Sequence, residues 1–171
     1  MQRYITNITI AELDGYDIIT KISYINAKNV KYVVGGGNKK QRLAIDVSTE
    51  LRQLIEDLSK GFWKGWYGTD IHTIFVSDIA IKYDEKTHEP IAFTPKIRCV
   101  SEGATFGEHP LSTLPSPESI HVSSFAEQII KLSELVLFEL DSWQKDLNAQ
   151  MELDLGLVDE IAAKARARSA A

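Results

Sequence analysis

An apolar stripe near the end of the chain constrains the fold more than any other feature of the sequence. It begins in a capping box at Ser124, with Glu127 three residues later, and continues to Leu147 in steps of three and four residues. The stripe consists of Phe125, Ile129, Leu132, Val136, Leu140, Trp143 and Leu147. This spacing predicts a helix of about 25 residues with a broad apolar face. Because the steps are not strictly heptad, packing across a sheet is favoured over a dimer seam.

Alternation of apolar and polar residues upstream of this helix predicts β-strands. The predicted strands cover residues 2–10, 16–26, 30–34, 42–47, 71–83 and 91–100. Asp14 and Gly15 are a turn signal between the first two strands, but the connection from Glu12 is longer than the tightest hairpin turn. A second hairpin joins the last two strands, and Pro95 indicates an edge strand or a bulge there.

A shorter helix is predicted over residues 48–60, because apolar residues recur there at helical spacing. These residues are Leu51, Leu54, Ile55 and Leu58. Gly61 follows where a glycine often ends a helix. Residues 101–123 lose all periodicity and contain three prolines, so they are predicted to form a long connection without secondary structure.

These elements predict an α+β fold. A mostly antiparallel sheet of about five to seven strands is followed by the long helix, which packs on the sheet, and the short helix comes after the first four strands. Residues 1–150 are expected to form a single domain, and residues 151–171 a helical tail that is frayed or binds a partner.

Two short segments carry the residues that suggest a ligand. Residues 61–68 hold four aromatic side chains and a lysine among three glycines, in a predicted loop between the short helix and the strand at 71. These aromatics either anchor the loop in the core or stack on a planar ligand such as a nucleobase, with Lys64 on a phosphate. Residues 35–42 combine glycines with basic side chains but match neither a phosphate-binding loop nor a dinucleotide fingerprint. Their alternative interpretation is a mobile, charged hairpin tip.

If both segments share one face, they predict a site for single-stranded nucleic acid or a nucleotide phosphate. The residues of this predicted site are Lys39, Lys40, Arg42, Trp63, Lys64, Trp66 and Tyr67. The sequence does not show that the two segments lie together. An alternative function is a protein–protein adaptor or inhibitor, which would form a homodimer or dock a partner through Trp143, Leu147 and Met151.

Other function classes find little support. The single Cys99 and the isolated histidines predict no metal site, and no catalytic motif or cofactor motif occurs. A non-catalytic protein is therefore expected, with a small enzyme whose site is assembled only by folding as the third hypothesis. The N-terminus lacks a signal-peptide pattern, no apolar run could span a bilayer, and the free cysteine suits a reducing compartment, so a cytoplasmic protein without a membrane partner is expected.

Overall fold

The computed structural model of the chain describes residues 2–37, 43–68, 75–98, 103–105, 109–110 and 122–169. These residues form an α+β fold, as the sequence predicts. The strands are β1 (Arg3–Leu13), β2 (Tyr16–Asn26), β3 (Lys31–Gly35), β4 (Ile45–Asp46), β5 (Phe75–Tyr83), β6 (Pro90–Arg98), β7 (Gly103–Thr105) and β8 (His109–Pro110). The helices are α1 (Thr49–Tyr67) and α2 (Val122–Ser169).

Six of the strands form an antiparallel sheet in the order β3-β2-β1-β5-β6-β7, and the short strands β4 and β8 pair with β2 and β6. Isoleucines stand opposite one another across its centre, where Ile22 of β2 and Ile79 of β5 both pair with Ile8 of β1. All three are completely buried. Because side chains alternate between the two faces of a strand, this row marks the core side of the sheet.

The hairpin between β1 and β2 turns on only two residues. Leu13 pairs with Tyr16, and Asp14 and Gly15 between them have φ values of 52° and 82°. Positive φ at both central positions belongs to a type I′ turn, which matches the twist of the flanking strands and favours Asp-Gly. The expectation of a longer connection was therefore wrong, because β1 continues to the turn itself.

Strand β6 has neighbours on both sides, which differs from the edge position that Pro95 suggested. Residues 96–98 pair with β7, and residues 92–93 pair with β8. Pro95 lies between these two sets of pairs, where a missing N–H costs the ladder least. The prediction that residues 101–123 lack secondary structure was wrong for β7, β8 and residues 122–123, and the other residues of 99–121 lie outside the described part of the chain. Because α2 already begins at Val122, the predicted capping box at Ser124 was also wrong.

Helix α1 begins as predicted but ends later. The Ser48 side chain accepts a hydrogen bond from the Leu51 N–H at 3.3 Å, which caps the N-terminus. The helix then passes through Gly61 and ends at Gly68, whose φ of 68° lets its N–H reach the Lys64 carbonyl at 2.9 Å. The predicted end at residue 60 was therefore wrong, and the aromatic segment is helical rather than a loop.

Gly61 has a packing role instead of a capping role. A Cβ atom built on it would lie 2.9 Å from Cε1 and from Cζ of Phe125, at the start of α2. The Phe62 ring packs 4.6 Å from the Phe125 ring and 4.7 Å from the Phe93 ring of β6. Helix α1 can approach α2 this closely only because residue 61 has no side chain.

The first part of α2 packs on the sheet, as its stripe predicts. Ile129, Leu132 and Val136 are completely buried, and the Ser133 hydroxyl accepts a 2.9 Å hydrogen bond from the Ile5 N–H of β1. The chain divides into two compact units, residues 1–137 and residues 138–171. The predicted division at residue 150 stays a prediction.

Replacement of Gly61 by Ala should destabilise the protein, although Ala is the better helix former by about 1 kcal/mol. The added methyl group would press on a ring that is itself buried, at a cost of about 1–3 kcal/mol. Gly156→Ala is the matched control, because no atom lies within 4 Å of its added Cβ. Urea unfolding should show a lower midpoint for Gly61→Ala only. A midpoint for Gly61→Ala above that of the native chain, which the helix propensity of Ala alone would give, would contradict the close approach.

Candidate interaction surfaces

The aromatic segment at the end of α1 contributes at least one side chain to the protein core. Phe62 is buried in the ring cluster, Trp63 is half-buried and Lys64 is exposed in the last turn. A lysine there interacts favourably with the carbonyl end of the helix dipole. Trp66 and Tyr67 belong to α1, but their side chains lie outside the described part of the structure.

The basic half of the predicted nucleic-acid site has no described position relative to this segment. Lys39, Lys40 and Arg42 lie outside the described residues. Only Trp63 and Lys64 of the predicted site have described side chains, and they are neighbours in one helix rather than parts of a groove. The shared face that the site requires stays a prediction.

A second aromatic surface, which sequence reasoning missed, lies on the strands that lead to the basic segment. Tyr24 of β2 pairs directly with Tyr32 of β3, and their rings stack with centroids 5.1 Å apart. The Arg3 guanidinium carbon lies 5.6 Å from the centroid of the Tyr24 ring, a cation–π distance. Tyr32 remains 42% exposed. Arg3, Tyr24 and Tyr32 are called the tyrosine surface below.

The face of the sheet opposite the isoleucine row carries a polar network. Asp78 of β5 accepts hydrogen bonds from the Asn7 side-chain amide and from the Thr9 hydroxyl, each at 2.9 Å. Both carboxylate oxygens are therefore engaged by neutral donors of β1. This arrangement ties the centre of the sheet together and leaves the carboxylate poorly placed to act as a base.

A third cluster closes the end of the β5–β6 hairpin. The Tyr4 ring lies 5.4 Å from the Tyr83 ring and stacks on the His88 ring at 5.1 Å. Burial raises the pKa of Tyr83 to about 12, and the Ser133 hydroxyl offsets part of this rise. His88 has a φ of 57° in the turn, and its Nδ1 is buried without a hydrogen-bond partner among the described residues.

The turn that carries His88 is held by one carboxylate. Asp84 accepts hydrogen bonds from the backbone N–H groups of Lys86 and Thr87, both at 2.8 Å. Hydrogen bonding to the Thr87 N–H, and then to the Lys86 N–H, lowers the pKa of Asp84. Tyr4, Tyr83 and His88 are therefore positioned as packing groups around an Asx-type turn.

The helical unit after residue 137 carries a dense run of exposed apolar side chains. Six of them lie between residues 151 and 161 and are each 49–65% exposed. They are Met151, Leu153, Leu155, Leu157, Val158 and Ile161. Trp143 and Leu147 are half-buried and lie two turns and one turn before Met151, at i, i+4 spacing. Residues 143–161 are called the helical surface below.

Charge is divided unevenly along the same unit. Residues 138–160 contain seven acidic side chains and one lysine, whereas residues 161–169 contain Lys164, Arg166 and Arg168 and no acid. The basic side chains suit the C-terminal end of a helix. Lys164 also forms an ion pair with Glu160 at 2.7 Å within the helix. The unit therefore has an acidic stretch and a basic end.

Neither a metal site nor a membrane-spanning helix is found in the described residues. No group of three His, Cys, Asp or Glu side chains there could hold a metal ion. No described helix combines the length and apolarity that are needed to cross a membrane.

Comparison of the chain with protein-family models, curated proteins and solved structures found no match.

The buried Tyr83 hydroxyl predicts a loss of stability at high pH. Its pKa is near 10 in the unfolded chain and about 12 in the folded one, so its contribution is complete below pH 10 and disappears as pH rises towards 12. The loss should reach about 2 kcal/mol. Urea unfolding between pH 9 and 12 should show a smaller loss in Tyr83→Phe. The control Tyr16→Phe alters a ring that is 69% exposed and should keep the native pH dependence. Identical curves for Tyr83→Phe and the native protein would disprove this assignment.

Proposed function

We propose that this is a non-catalytic interaction protein that associates with a second copy of itself through the helical surface. The observation that carries the proposal is the exposure of six large apolar side chains within eleven consecutive residues, 151–161. Contiguous apolar patches of this kind are rare on monomeric proteins and mark sites of association. The α+β unit of residues 1–137 would be the body that this association brings together.

The free energy available from burying the helical surface is comparable to the free-energy cost of association. Burying a Leu, Val or Met side chain completely is worth about 1.5–3 kcal/mol, so burying these partly exposed side chains could supply about 5–10 kcal/mol per copy. Association costs about 4–15 kcal/mol in lost motion. Contributions from two copies can exceed that cost, whereas one copy in water gains nothing from them.

The charges favour a second copy as the partner. The unit carries both an acidic stretch before residue 161 and a basic end after it, and a second copy offers each of them its complement. A partner that was uniformly basic or uniformly acidic would oppose one of the two parts. Trp143, Leu147 and Met151, which the sequence suggested as interface residues, belong to the same helical surface.

A glutamate in the middle of the helical surface should weaken association. Val158→Glu should raise the dissociation constant at least about tenfold, because each copy would have to bury an unpaired charge. Ala163→Glu makes a comparable change on the opposite side of the helix and should have little effect. Sedimentation equilibrium over a range of concentrations measures both, with circular dichroism to confirm helix content. A native protein that stays monomeric at high micromolar concentration would refute the proposal.

A second candidate function is binding of single-stranded nucleic acid or a nucleotide. The tyrosine surface favours it, since Tyr32 is partly exposed and stacks on Tyr24, whose ring in turn lies 5.6 Å from the Arg3 guanidinium carbon. Strand β3 leads from Tyr32 directly into the segment that contains Lys39, Lys40 and Arg42. Trp63, Lys64, Trp66 and Tyr67 would add to such a site only if α1 presents them to the same ligand.

Tyr32→Ala should weaken oligonucleotide binding by about 1–3 kcal/mol if this second function holds, because it removes a stacking ring. Tyr16→Ala, which removes an exposed tyrosine beside the β1–β2 turn, is the matched control. Fluorescence anisotropy with labelled single strands at several salt concentrations makes the comparison. Equal weakening by both variants, or no binding at low salt, would exclude the tyrosine surface as a nucleic-acid site.

A further inference from the structure

We infer that the two copies pair with their C-terminal helices antiparallel, crossing between residues 152 and 153. This inference rests on the proposed self-association and adds its orientation and register. Two independent features of residues 138–169 carry it, namely the separation of charge and the order of large and small side chains along the apolar stripe.

The charge separation distinguishes the two orientations. A parallel pair in register would place Lys164, Arg166 and Arg168 beside the same three residues of the other copy, and the acidic stretches beside each other. Like charges in register destabilise a helix pair. An antiparallel pair instead places each basic end beside the other copy's acidic stretch. In the proposed register, Arg166 lies near the level of Asp141 of the other copy and on the same flank of the pair, and Lys164 lies in the same way near Glu139.

The spacing of the stripe supports the same register. In residues 138–169, the stripe consists of residues 143, 147, 151, 154, 158 and 162. The steps between them are four, four, three, four and four residues, which is the same series in either direction along the helix. Reversal about residues 152–153 therefore places Leu147 opposite Val158 and Met151 opposite Asp154. These positions lie on one side of an α-helix.

Side-chain size also fits reversal. Trp143 would lie opposite Ala162, so the largest side chain of the stripe meets the smallest. A parallel pair would place two tryptophans together at one level and two alanines at another, which leaves either a clash or a gap. Asp154 is the charged member of the stripe, and covering it costs free energy that the apolar contacts must exceed. Its Oδ1 accepts a hydrogen bond from Gln150 of its own helix at 3.4 Å, which offsets part of this cost.

Single cysteines test the orientation in the full-length chain with Cys99 replaced by Ser. In the antiparallel register, residue 147 of one copy faces residue 158 of the other, while identical positions are eleven residues or about 16 Å apart along the axis. A disulfide needs Cα atoms within about 7 Å. Mixing Leu147→Cys with Val158→Cys should therefore give a mixed disulfide dimer, and each variant alone should stay uncrosslinked. Ala163→Cys, on the opposite side, measures crosslinking by random collision.

Charge exchange provides a second test without cysteines. Arg166→Glu should weaken the dimer about fivefold, since two symmetric ion pairs with Asp141 are lost, and Asp141→Arg with Arg166→Glu should restore the native dissociation constant. A dimer that crosslinks Leu147→Cys or Val158→Cys alone, or forms no mixed disulfide, would overturn the orientation while leaving self-association intact. A monomer by sedimentation would instead overturn the proposed function itself.

Discussion

A cluster of three phenylalanine rings joins the separate elements of the α+β unit. Phe62 comes from α1, Phe93 from β6 and Phe125 from the start of α2, and all three are almost fully buried. The cluster can form only because residue 61 is a glycine, since any side chain there would occupy the space of the Phe125 ring. A helix interior with a glycine is intrinsically weaker, so the packing that it permits must outweigh the loss of helix propensity.

The elements that could be predicted from the sequence are those with a local cause. Helix α2 and the buried strands follow from apolar periodicity, and Ser48 caps α1 through a bond to a residue three positions away. Gly61 was misinterpreted for the opposite reason. Its packing role depends on Phe125, which lies far away in sequence. In the sequence alone, a glycine that follows an apolar run has the same pattern as a glycine that ends a helix. The β1–β2 turn had a clear Asp-Gly signal, but the length of β1 had to be known to interpret it.

The two candidate surfaces also differ in how far they could be predicted from the sequence. The helical surface could be anticipated because one periodic stripe extends from Phe125 to Leu147 and continues with Met151 and Val158. The tyrosine surface could not, since it needs the register that sets Tyr24 beside Tyr32 and the cross-strand position of Arg3. The presence of Tyr24 and Tyr32 in two adjacent predicted strands was the available signal. Strand periodicity assigns each tyrosine to a face but not to a neighbour.

The apolar stripe of α2 changes its surroundings along the helix. Ile129, Leu132 and Val136 are completely buried, whereas Met151 and Val158, in the same stripe, are about half or more exposed. Helix propensity and exposed ion pairs such as that between Lys164 and Glu160 give the distal part only marginal support in water. Polar residues at these positions would preserve the helix and improve solubility, so large apolar residues there have no benefit for an isolated chain. They stabilise the protein only when another surface covers them, and this requirement is the physical basis of the proposed self-association.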